Sequence, residues 1–412
     1  MVAITDVVTA PPQPPQVTNR AIWAQFSTDI RGKEVQTAET YSHSWVANQF
    51  GHVCLGIILA SALTLVLGSG VSTVFSWLRL PFSWHVPSPW DNIWGCVLVS
   101  IGVSAWEWRA YSTEVREATG HHFPVGRRLL RDNAVVAAAY MILGVAIAFI
   151  YRFFALTPRD WLGMPGFAWT TICFAGIVII GILLAVPWLR QKIVWQKAGL
   201  PYLFRLADTE ATDDAAAARH LQAVIDHESG PPPNGDPIQI VVGGPISSGR
   251  TQFCAAIGTE FAFRKASVRY LSFAALLEFA AQSGNPGFFD DPGPENIRYW
   301  PWSTAQVVII DDIGPLLTAS TRSTDDHLEQ FRLVLATQLG PIRSVLARCH
   351  TVWVIGDARR DGQVSADALD QFAREIKQFC DAKKNALVVE LERPDTLERT
   401  LKLPRVRGTR SL

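Results

Sequence analysis

The stretch Ile238-Gln-Ile-Val-Val-Gly-Gly-Pro-Ile-Ser-Ser-Gly-Arg-Thr251 decides how the rest of the chain is read. It passes from a continuous apolar run, as a strand buried on both faces requires, into a Gly-rich loop and then a helical pattern. Gly244, Gly249, Arg250 and Thr251 fit the phosphate-loop spacing G-x-x-x-x-G-K-[ST], with arginine where that pattern has lysine. Glycines let main-chain N–H groups turn inward onto phosphate oxygens, and a helix starting there adds the positive end of its dipole. Gly244, Ser247, Ser248, Gly249, Arg250 and Thr251 are therefore the candidate phosphate-binding residues, and the Thr251 hydroxyl is placed to serve Mg²⁺. Lysine is a compact point charge and guanidinium a planar one, so Arg250 keeps phosphate binding open but puts efficient hydrolysis in question.

Downstream of this loop, apolar runs alternate with helical patterns. Strands are expected at about 238–243, 268–272, 306–311, 351–356 and 386–391, and helices at about 250–265, 273–283, 325–348 and 365–382. Such alternation predicts an α/β domain, a parallel sheet with helices on both faces. Val307-Val-Ile-Ile-Asp-Asp-Ile313 ends an apolar run in two acids, and the carboxyl ends of neighbouring parallel strands open into one crevice. Asp311 is the candidate Mg²⁺ carboxylate and Asp312 the candidate water-activating group. Thr351-Val-Trp-Val-Ile-Gly-Asp357 is a second such run, whose Asp357 either acts on the attacking water or caps the following turn. The Gly- and Pro-rich stretch 284–302 reads as an ordered surface loop anchored by its aromatic residues.

The N-terminal half has another character. The 412-residue chain has a mean hydropathy of +0.15, high for a protein living wholly in water. Four apolar stretches, at about 51–78, 91–108, 134–156 and 166–189, each approach the roughly 20 residues needed to cross a bilayer. Arg109, Arg116, Arg127, Arg128 and Arg131 lie between the second and third, and Arg190, Lys192 and Lys197 follow the fourth. The other connections are poor in basic residues, so the positive-inside rule places both termini in the cytoplasm. Few charges fall inside the spans, which speaks against a transporter or channel. Residues 1–50 read as a mobile cytoplasmic tail, 51–189 as the four-helix transmembrane domain, 190–237 as a helical connector and Pro/Gly linker, and 238–412 as the α/β domain. Asp213 to Glu228 has helical periodicity within that connector. The 37 basic and 37 acidic side chains cancel, so no nucleic-acid partner is expected. The six cysteines form no C-x-x-C pair and read as small core residues.

Residues 238–392 resemble the AAA+ superfamily of P-loop ATPases, nearest to the replication-initiator and helicase-loader group. The resemblance rests on the loop at 244–251, on Val268-Arg-Tyr-Leu-Ser-Phe-Ala-Ala-Leu-Leu277 and on Ile309-Ile-Asp-Asp-Ile-Gly314. It implies a Walker A motif at Gly244, Gly249, Arg250 and Thr251, a Walker B motif at Asp311 and Asp312, and a sensor-1 position at Asp357. That family more often has Asn, Ser or Thr at sensor 1. The resemblance also implies ATP or GTP with Mg²⁺ as cofactors and a homo-oligomer in which a neighbour's arginine completes the site. Arg348, Arg359 and Arg360 match that arginine's spacing poorly. Little chain follows the last expected strand, so no helical lid is expected. The four-span module resembles no family. Two functions follow: a membrane-anchored nucleotide-binding protein coupling ATP binding or slow hydrolysis to a bacterial inner-membrane assembly, or a degenerate NTPase serving as a scaffold subunit of a membrane complex.

Overall fold

The computed structural model describes residues 17–30, 45–63, 89–118, 127–152, 166–201, 203–206, 210–211, 221–226, 237–245, 248–282, 299–313, 324–356, 366–382, 386–392 and 405–411. They form two compact units, a helical one drawn from residues 32–188 and an α/β one drawn mainly from 189–412.

After a short helix α1 (Asn19–Ile30), the helical unit is built from α2 (Trp45–Leu63), α3 (Pro89–Ala118), α4 (Arg127–Ile150) and the first part of α5 (Gly166–Gln196). Trp45–Leu63, Leu130–Ile150 and Trp169–Gln196 are long and apolar enough to cross a membrane. The expected count of four is not reached among the described residues, because in α3 the apolar run between Asp91 and Glu107 is too short and too diluted by Gly and Ser. Even so, Val99 and Val103 of α3 join Ala60, Met141, Val145 and Ala148 in one buried cluster. Helices α2 and α4 touch backbone to backbone, since a Cβ built on Gly56 would lie 2.0 Å from the Met141 carbonyl oxygen and one on Gly144 2.1 Å from that of Val53. Small residues permit this approach where apolar burial offers little drive for association. Polar contacts finish the packing: the Tyr140 hydroxyl donates to Gly181 O on α5 at 2.9 Å, and Arg152 donates to Ser61 O at 3.3 Å. Outside, Ile58, Ile101, Val135, Val178, Ile179 and Leu183 are exposed, an arrangement suited to lipid rather than water.

The α/β unit contains β1 (Glu210–Ala211), a helical segment α6 (221–226), β2 (Gln239–Gly243), α7 (Arg250–Phe263), β3 (Val268–Ser272), α8 (Phe273–Gln282) and β4 (Val307–Asp311). There follow α9 (Thr324–Thr337), α10 (Arg343–Ala347), β5 (His350–Ile355), α11 (Ala366–Phe379), β6 (Leu387–Glu392) and β7 (Arg405–Ser411). The sheet order is β1-β7-β6-β2-β5-β4-β3. Strands β6, β2, β5, β4 and β3 are parallel, whereas β7 runs antiparallel to β6. The five expected strands are present within a residue of their expected bounds; β1 and β7 were not anticipated. The single helix expected over 325–348 is broken after Thr337 by a 3₁₀ turn at Gly340–Ile342, where Pro341 has no N–H for an α-helical bond.

Both sheet faces are covered. Helix α7 is buried from Phe253 to Ala262, as a helix enclosed on all sides must be. On α11, Leu369 lies against Gly243, and Phe331 of α9 meets Trp353 and Phe372 edge-on at ring distances of 6.3 and 5.1 Å. The chain leaving α5 belongs to this unit as well: Leu189, Ile193, Trp195, Ala198 and Leu200 are buried. Ala198 O accepts from Tyr270 N at 2.8 Å along the edge of β3, and Trp195 Nε1 donates to Thr259 Oγ1 on α7 at 3.3 Å. Gly199 adopts φ +67, where the Tyr299 ring would lie 2.2 Å from any Cβ, so glycine is required twice over. The expected aromatic anchoring is met at the described end of the 284–302 loop. There Trp302 stacks on Phe279 at 4.1 Å, and Arg269 lies over the Trp302 ring while donating to Trp300 O at 2.6 Å. Of the expected Asp213–Glu228 helix, residues 221–226 are described and are helical, with Leu221 and Ile225 fully buried.

An ion network fixes the connector on the far end of α7. Glu260, nearly fully buried, accepts from Arg205 and Arg264, each at 2.6 Å, and Arg264 also pairs with Asp226 at 2.6 Å. Burial alone would raise the Glu260 pKa, but the two guanidiniums outweigh it and hold the carboxyl below its ordinary range. All six cysteines are unpaired, and Cys254, Cys349 and Cys380 are buried in the core.

Candidate functional site at the carboxyl end of the loop strand

Strand β2 lies between β5 and β6, yet the helix that follows it leads to β3 at the sheet's edge. Such a reversal of strand order opens a crevice outside the carboxyl ends of the strands. The loop leaving β2 enters it. Gly244 has no room for a side chain, because its Cβ would lie 2.7 Å from Ser248 Oγ and 3.0 Å from Leu391 O. Ser248 N donates back to Pro245 O at 3.2 Å. Gly249 then takes the left-handed conformation, φ 78 and ψ 26, which aims the first turn of α7 into the crevice. Among the described residues no side chain caps that turn. Ser248 is 1% exposed, and its buried hydroxyl has no hydrogen-bond partner among the described residues. A buried hydroxyl left in this state costs about 1–3 kcal/mol, so the loop carries a polar group suited to a partner from outside the chain.

Arg250 extends across the ends of two strands. Its Nη1 donates to Gly244 O at 3.0 Å and to Ile355 O at 3.3 Å, and a Cβ on Gly356 would lie 1.5 Å from the same nitrogen. Thr251 follows in the first turn, half-buried.

Asp311 closes β4 and is 2% exposed. Its Oδ2 accepts from the Tyr270 hydroxyl at 2.6 Å and its Oδ1 from the main-chain N–H of Asp312 at 2.8 Å. Asp312 has φ 60, a strained conformation for a residue with a side chain, of a kind that collects at functional sites. Burial and the neighbouring Asp311 raise its pKa, while Arg250 pulls it the other way. Cys254 lies fully buried in the same group, and burial, with Asp311 adding to it, keeps its thiol protonated.

Of the residues expected at the site, Gly244, Ser248, Gly249, Arg250, Thr251, Asp311 and Asp312 thus lie at the carboxyl ends of β2 and β4 or in the turn that follows β2. Ser247 and Asp357 are outside the described residues, as are Arg359 and Arg360. Arg348 precedes β5, at the opposite end of the sheet, and donates to Trp302 O at 2.7 Å. Sequence reasoning missed Tyr270 and Gly356. Tyr270 registers with Ile309 across the β3–β4 ladder, two residues short of Asp311, a span that a phenol can cover, and no local pattern in the sequence signals that pairing. No group of three or more His, Cys, Asp or Glu side chains is gathered among the described residues. The available donors, a threonine hydroxyl and one or two carboxylates, are the sparse oxygen set that Mg²⁺ accepts when phosphates and water complete its shell. No family model matches this chain, and no curated protein is significantly similar to it.

Proposed function

We propose that the α/β unit is a P-loop nucleotide-binding domain of the AAA+ type, binding ATP or GTP with Mg²⁺ and tethered to a bacterial inner membrane by the helical unit. One observation carries the reading. At the carboxyl end of β2, an uncapped helix start, a buried and unpartnered Ser248 hydroxyl and the Arg250 guanidinium converge, with Asp311 two strands away at the same end of the sheet. Phosphate oxygens would accept from the first-turn N–H groups and from Ser248. They would also draw Arg250 off the Gly244 and Ile355 carbonyls, trading neutral acceptors for charged ones. Thr251 and Asp311 would hold Mg²⁺, and Asp312 would orient the attacking water, with Asp357 as the other candidate. In this reading α3 crosses the membrane as a fourth span, both termini are cytoplasmic, and the protein works as a homo-oligomer with other membrane subunits, turning nucleotide over slowly or only binding it.

The alternative is a scaffold subunit whose P-loop fold has lost its ligand. It is favoured by the Arg250 hydrogen bonds to the loop's own carbonyls and by the two protein donors already on Asp311. Titration of the full chain in lipid nanodiscs with a fluorescent ATP analogue separates the two. Arg250→Ala is expected to weaken binding about tenfold or more, the worth of a charge-assisted phosphate contact. Asp311→Asn is expected to weaken it to a similar extent, but only when Mg²⁺ is present. No binding by the wild type, or binding indifferent to both substitutions, leaves the scaffold.

A further inference from the structure

We propose that Tyr270 is a positioning residue for Asp311, holding its carboxylate in the orientation from which it reaches nucleotide-bound Mg²⁺, an inference that rests on the nucleotide reading above. Asp311 is clasped from two sides, by the Tyr270 hydroxyl on Oδ2 and by the Asp312 N–H on Oδ1. Each carboxylate oxygen has two lone pairs, so one on each remains for a metal or for a metal-bound water. With both oxygens pinned, the carboxylate plane cannot rotate. With the phenol gone, only one oxygen stays fixed. Groups that hydrogen-bond to a ligand in this way fix its orientation, and their loss costs 10–100-fold in metal affinity as a rule.

The position of Tyr270 is itself set from outside the site. Its main-chain N–H donates to Ala198 O at 2.8 Å, in the chain that continues α5. The residue thus joins the continuation of an apolar helix, through its backbone, to the acidic end of β4, through its side chain. No other described residue donates a side-chain hydrogen bond to Asp311.

The test uses the full chain in nanodiscs, titrated with a fluorescent ATP analogue in EDTA and then with rising Mg²⁺. Tyr270→Phe is expected to raise the Mg²⁺ concentration for half-maximal effect about tenfold, while affinity in EDTA stays as in the wild type. An unchanged Mg²⁺ requirement overturns the proposal, and so does an equal loss with and without Mg²⁺, the mark of a merely structural role. A second readout holds even if the Phe variant does not fold. With 3-fluorotyrosine replacing Tyr270, its fluorine resonance should move when Mg²⁺ is added to nucleotide-loaded protein, and a resonance indifferent to Mg²⁺ overturns the proposal. A wild type that binds no nucleotide removes the nucleotide reading and this inference with it; a wild type that binds, paired with an indifferent Phe variant, removes only the role of Tyr270.

Discussion

Glu260→Gln is expected to destabilise the α/β unit by about 3 kcal/mol, the cost typical of breaking a buried ion pair from one side. The substitution preserves shape, so the loss is one of charge. Arg205 and Arg264 would each keep a guanidinium that is four-fifths buried against a neutral amide. The unit's attachments would loosen together, because Arg205 lies in the connector and Arg264 carries the pair to Asp226. The pH dependence has a fixed sign. The native pKa of Glu260 is depressed, so its contribution is complete above the unfolded value of about 4.3 and fades as pH falls through the lower native value. Thermal melts of wild type and Glu260→Gln should therefore differ most near neutrality and converge in acid. A difference that stays constant with pH would mean that packing, rather than charge, is what the variant lost.

Gly144→Leu is expected to part α2 from α4, costing about 3 kcal/mol or more, at or beyond the upper end for overpacked cores. The atoms in the way are all main chain, Val53 O and C and Ile57 N, so no side-chain rotation relieves the clash. Gly56→Leu meets the mirror obstacle at Met141 O and should behave alike. Gly102 supplies the control, for no described residue lies within 4 Å of a Cβ placed there. Melting temperatures in detergent should fall for the first two and barely move for Gly102→Leu; three equal shifts would disprove the close crossing.

The fold was legible where local pattern and tertiary demand agree. Strands β2, β4 and β5 are buried along their whole length, and each reads as an apolar run, at 240–243, 307–310 and 352–355, with polar residues only at one end. Strand β7 was invisible because Arg405-Val-Arg-Gly-Thr-Arg-Ser411 has no such run; its pairing is supplied by β6, with a bulge between Glu390 and Leu391. The 91–108 stretch reads as a helix and is one, but its apolar run is shorter than those of the other three, so hydropathy alone does not establish the fourth span. At the site, the loop and the acids could be read because each depends on neighbours in sequence. The partners of Arg250 and Asp311 could not, since Ile355 and Tyr270 arrive from strands placed beside them only by the sheet order.

The guanidinium lying over Gly356 has a consequence for inheritance. Positions 250 and 356 share one volume: even a methyl group at 356 would stand where the Arg250 nitrogen is. The tip of an arginine can be pushed aside at little cost in stability, so a descendant that gained a side chain at 356 would still fold, but its cation would be evicted from the loop. Lineages that keep arginine at 250 for a purpose should therefore keep the glycine too, and those that shed one should drift free of the other.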